Sequence, residues 1–167
     1  MQSTTKTKKI AVCGLLCAIA LIFSYIEFLV PISIGIPGIK LGLANIVVVL
    51  CLYSIGPRFA AFINLARILL AALLFGNMFS VLYALSGAVI SFIGMLLLQK
   101  TKAFSIVGVS MAGGVVHNAG QIITAAIIMQ TKDILLYFPV LLIAGMITGI
   151  INGFISHLVL SRVKSIF

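Results

Sequence analysis

The sequence predicts an all-helical bundle that crosses a bilayer six times, and three observations predict it. The 167 residues are 63% hydrophobic and only 8% charged, with a mean hydropathy of +1.35, too apolar for a water-soluble domain of ordinary make-up. Breakers and charges cut the chain into six apolar runs, each a candidate helix, because hydrocarbon leaves every backbone amide to be paired inside its own segment. The cations then alternate between the two sides those runs define. A single membrane domain over residues 1–167 follows, since a chain of this length offers no room for a second unit.

The runs cover residues 10–30, 41–55, 59–75, 78–98, 104–129 and 139–160. The first follows Lys6, Lys8 and Lys9, a cationic start that also suits a signal peptide. It is too long for that and leads into further apolar sequence, so it reads as a retained helix. Gly56-Pro57-Arg58 separates the second run from the third with a glycine, a proline and a cation, the punctuation of a tight turn. Pro139 suits the first turn of the last helix. In the first outer connection Ile32, Ile34 and Ile36 alternate with small residues before Pro37-Gly38, and Ile39 and Leu41 resume the alternation. That pattern fits a small hairpin or an extended lid, and equally an irregular loop dipping into the headgroups.

Lys and Arg accumulate on the cytoplasmic side during insertion. With six spans and the N-terminus inside, Lys6, Lys8, Lys9, Arg58, Lys100, Lys102, Arg162 and Lys164 lie inside, against Lys40 and Lys132 outside. Both termini are therefore expected in the cytoplasm. The net charge of +9 does not point to nucleic acid, because these cations stand singly between apolar runs rather than on one wet face. Cys13, Cys17 and Cys51 have the spacing of neither a zinc site nor a disulfide framework and read as small packing residues.

Polar side chains inside a span are costly and face a cavity, a partner helix or one another. On the fifth run Gly113, Gly114, His117, Asn118 and Gln121 draw one polar stripe at spacings of three and four. The stripe can line a pocket open to the outside, or its amides can bond across to neighbouring helices. Asn64 and Arg67 share a face of the third run. A guanidinium there needs an anion, and the chain has two acids, Glu27 and Asp133. Arg67 can meet a carboxylate or phosphate on a ligand or on a partner protein, pair with Glu27, or cap carbonyls by snorkelling. Lys40 and Asn45, beside Gly38 and Gly42, are what a ligand-covering lid would use, and a merely interfacial lysine fits equally well. Gly145, Gly149 and Gly153, and likewise Gly14 with Ala18, let helices approach closely.

Prenyl-diphosphate chemistry with magnesium needs clustered carboxylates, which one Glu and one Asp far apart do not supply, and no P-loop occurs. The expectation is a protein that is not an enzyme and has neither cofactor nor metal. Active transport would need a partner that hydrolyses nucleotide or supplies an ion gradient.

Two stretches, Pro37-Gly38-Ile39-Lys40-Leu41-Gly42-Leu43-Ala44-Asn45 and Gly113-Gly114-Val115-Val116-His117-Asn118-Ala119-Gly120-Gln121, resemble the bacterial Gx transporter family, also labelled heptaprenyl diphosphate synthase component I. The likeness extends over nearly the whole chain. The six-span plan is also similar to the substrate-binding S components of energy-coupling-factor (ECF) transporters. That resemblance implies an outer loop over a pocket, with Gly14 and Ala18, in place of the usual alanine pair, docking the transmembrane coupling subunit. It implies a binding subunit of a bacterial cytoplasmic membrane, energised by partner ATPases. Its ligand, a vitamin or an isoprenoid- or quinone-related compound, would be held by Lys40, Asn45, Asn64, Arg67, Gly114, His117, Asn118 and Gln121. The alternative is a non-transporting scaffold or accessory protein in isoprenoid or quinone metabolism or in extracellular electron transfer, since family members also resemble a membrane component of that process.

Overall fold

The computed structural model describes residues 2–29, 42–76 and 78–163. The expected hairpin over residues 32–41, and Lys40 with it, lie outside the described residues. The elements are α1 (Gln2–Leu29), α2 (Asn45–Ser54), α3 (Pro57–Phe75), α4 (Met78–Thr101), α5 (Ile106–Met129), a 3-10 turn (Asp133–Tyr137) and α6 (Phe138–Val163). Five of the helices are long and apolar enough to cross a membrane, and the chain is a multi-pass membrane protein.

The second run departs from expectation. Instead of a span over residues 41–55 it forms a helix of 10 residues, about 15 Å long at 1.5 Å per residue and half of what the hydrocarbon requires. Asn45 to Val49, Cys51 and Leu52 are all buried, so α2 is an internal half-helix, apolar on nearly every side. Its lower end stops at the anticipated punctuation. The Ile55 and Gly56 amides both donate to the Cys51 carbonyl, Gly56 takes φ +114°, and Pro57 opens α3.

We call the end holding Leu29, Phe75 and Met129 the upper end and the end holding Ser54, Pro57 and Ile106 the lower. Helices α3, α4, α5 and α6 pack in sequence, α2 lies between α6 and α3, and α1 rests on α3 and α2. The closest unions are glycine seams. A Cβ on Gly114 would strike the Gly145 carbonyl, one on Gly145 would lie 2.7 Å from the Gly114 oxygen, and one on Gly149 would lie 2.7 Å from the Met111 Cα. Gly145, Gly149 and Gly153 thus do the packing their four-residue spacing implied.

Two apolar clusters result. The lower one gathers α2 with Cys13, Ala20, Ala60, Ile63, Met95 and Val109, and the smaller upper one holds Tyr83, Ile122, Ala125, Ile134 and Leu141. Along α5, Val109 belongs to the lower cluster and Ile122 and Ala125 to the upper. His117, Asn118 and Gln121 fall between them, all buried. The polar stripe therefore faces the bundle interior.

Candidate functional site

The half-length of α2 shapes this interior, because its first turn lies within the bundle. Open amides at a helix start carry partial positive charge. Those nearest, on Gly42 and Leu43, both donate to Glu27 Oε1, at 2.6 and 2.8 Å. Gly42 is required here. Its φ is +86°, and a Cβ would lie 2.9 Å from Asn45 Nδ2. Its carbonyl accepts from Asn152 Nδ2 of α6 at 2.9 Å, so the segment entering α2 is held from α1 and from α6.

Arg67 lies on the α3 face turned to the same region and is 7% exposed. Its Nε donates to Asn64 Oδ1 at 3.1 Å and its Nη2 to Asn45 Oδ1 at 3.2 Å. Both acceptors are neutral. Glu27, near enough to act electrostatically on Arg67, has its Oε1 on the Gly42 and Leu43 amides ahead of α2. The i, i+3 pair Asn64 and Arg67 is thus a bonded unit, and Asn45 joins it from α2.

His117 also belongs to this region, where the charge of Arg67 reaches it. Its ring stands between the chain at Gly42 and the backbone of α4, where a Cβ added to Gly87 would lie 3.1 Å from Cε1. Nδ1 is buried without a hydrogen-bond partner. One turn higher, Gln121 is 0% exposed and neither its Oε1 nor its Nε2 has a partner. Asn118 donates to the Leu141 carbonyl of α6 at 2.8 Å, the interhelical bond that was the alternative reading of the stripe, and its Oδ1 is unpartnered. Gly114 belongs to the α5–α6 seam, where its missing side chain admits α6 rather than opening a pocket.

A cleft of about 30 Å³ is lined by Ser24 of α1, by Arg67, Ile68, Ala71, Ala72 and Gly76 on the side of α3, and by Val81 and Ala84 of α4. From Arg67 to Gly76 it follows α3 for about 13 Å at the helical rise, reaching an exposed glycine at the upper end. Of the described residues expected to bind a ligand, Arg67 alone lines it. Asn45 and Asn64 hold Arg67, and His117, Asn118 and Gln121 stand on α5.

Residues 16–159 match the family described as heptaprenyl diphosphate synthase component I. The chain belongs to that family. No curated protein and no solved structure matches it. The match covers α2 to α5 completely, the upper half of α1 and most of α6, so every residue that lines the cleft lies inside the matched region. Among the described residues, no three His, Cys, Asp or Glu side chains gather as a metal site would require.

Sequence reasoning passed over Ser24, Asn152 and Gly87. Asn152 was open to the rule applied to α5, being an amide inside an apolar run. Ser24 carried no such signal, because a helical hydroxyl can bond to its own preceding turn. Gly87 becomes meaningful only once α4 and α5 are seen in contact. Gly14 and Ala18 are exposed on α1, and nothing lies within 4 Å of a Cβ placed on Gly14.

Proposed function

We propose that the chain is a solute-binding subunit of an uptake system, built on the plan of an ECF S component and without a reaction of its own. The observation that carries this reading is Arg67, a buried guanidinium bonded to neutral amides and lining a cleft whose other lining residues run along α3 as far as the exposed Gly76. A charge with that desolvation would be retained for an anionic or polar group brought by a ligand. The unpartnered His117, Asn118 and Gln121 atoms add hydrogen-bonding capacity beside it.

In this proposal the upper end faces outward and both termini lie in the cytoplasm of a bacterial membrane. Exposed Lys9, Arg58, Lys100, Lys102 and Arg162 at the lower end, against Lys132 at the upper, support that orientation. The word synthase in the family description then refers to an associated or auxiliary role. Glu27 is occupied on backbone amides and Asp133 stands on the upper 3-10 turn, so no carboxylate pair is available to hold magnesium against a diphosphate.

The exposed small-residue face at Gly14 and Ala18 favours a docked membrane partner, the coupling subunit of an ATPase module. It would equally serve the second reading, a non-transporting accessory protein. Gentle extraction from native membranes followed by native mass spectrometry tests the proposal. A co-purifying ATPase module, with a bound small molecule lost in Arg67→Ala and His117→Ala, is the expected result. Recovery with other membrane proteins, no small molecule and no ATPase would favour the accessory role.

A further inference from the structure

Among the described residues the interior holds two electropositive centres and one acidic side chain. The first centre is the amide pair leading into α2, and Glu27 Oε1 fills it. The second is Arg67, whose bonds among the described residues run to the Asn64 and Asn45 oxygens. The only other acid, Asp133, is exposed in the 3-10 turn beside Thr131. Glu27 reaches Arg67 only through its field, and a buried guanidinium whose direct bonds go to neutral groups leaves room for an anionic oxygen in hydrogen-bond contact.

The cleft limits what can fill it. The whole cleft, at about 30 Å³, has room for a few waters, taking about 10–15 Å³ of such space for each, so a carboxylate-sized head fits at Arg67 and a chain behind it has to part the small side chains above. Ser24 Oγ, 2% exposed and without a partner, lines the same space as Arg67 and can donate to a second oxygen. Above them Ile68, Ala71, Ala72, Val81 and Ala84 form a narrow apolar passage toward Gly76. A diphosphate brings several charges and two tetrahedral groups, too much for one guanidinium and for this space.

We infer that the ligand is a slender amphiphile with one carboxylate-sized monoanionic head, bound head-inward at Arg67 and Ser24, and that prenyl diphosphates are rejected. This rests on the cleft being the binding site proposed above. The test is thermal unfolding of the full chain in phosphatidylcholine nanodiscs with octanoate, octanol, acetate or geranyl diphosphate.

Octanoate is expected to raise the midpoint by several degrees, and the other three are expected to have little effect at the same concentration. Arg67→Met should raise the half-saturating octanoate concentration at least tenfold, Arg67→Lys less, and Ser24→Ala a few-fold. Should Arg67→Met fold poorly, Ala71→Leu, which narrows the passage and leaves the charge, should weaken octanoate binding as much. Geranyl diphosphate acting as strongly as octanoate would overturn the inference, and acetate alone acting as strongly would overturn the amphiphile. Octanol binding that is lost in Ala71→Leu would overturn the monoanion while leaving the cleft a binding site. Inertness towards all four would overturn the cleft as well.

Discussion

The two sides of the bundle are built on opposite principles. Where α5 meets α6, side chains have been removed so that backbones touch, and Gly114, Gly145 and Gly149 leave no gap between them. Where α1 and α4 flank the upper half of α3, alanines and a serine leave a cleft, with Arg67 at its inner end. Small residues serve both sides. What separates them is whether a second helix comes close enough to use the space, and under the proposed function the α1–α3 side is the half that receives a ligand.

Substitutions should separate the two sides by size and by sign. The largest effect is expected at the seam, where Gly114→Ala drives a Cβ into the Gly145 carbonyl. Because the obstacle is backbone, a loss of about 3 kcal/mol or more is expected in denaturant unfolding in mixed micelles. Glu27→Ala comes next, since it leaves the partly buried Gly42 and Leu43 amides without their side-chain acceptor. A loss of about 2 kcal/mol follows, whereas Glu27→Gln, which keeps an oxygen there, should lose less.

On the α4-facing side of α5 the sign reverses. Gln121→Leu replaces an amide with no partner on either atom, so the ligand-free protein should gain about 1 kcal/mol. Ser24→Ala should be the mildest, neutral or stabilising by about 0.5 kcal/mol in the same assay. A loss in Ser24→Ala comparable to that of Gly114→Ala would erase the contrast between the two sides.

The sequence disclosed long-range features where solvent imposes them and missed those set by packing. Hydrocarbon forces apolar length on any spanning helix, which is why the bounds of α3 and α5 were legible to within a few residues. The same argument misread α2, because an apolar run records burial, and a half-helix inside a bundle is as thoroughly buried as a span. At the site, Asn64 with Arg67 could be read from their i, i+3 spacing. The partnership of Asn45 with Arg67, 22 positions apart, could not. Gly114 and His117 share a stripe, yet one faces α6 and the other the polar interior, a division that depends on where α4 and α6 settle around α5.

Accessibility gives the most direct test that the α3 side holds a passage reaching Arg67 from above. Ala71 and Ala125 each lie four residues below the upper end of their helices, the first lining the cleft and the second closed in the upper cluster. In a background with Cys13, Cys17 and Cys51 replaced, Ala71→Cys should react with a membrane-impermeant thiol reagent supplied at the upper face, and Ala125→Cys should stay inert. Equal inertness of both cysteines would contradict the account.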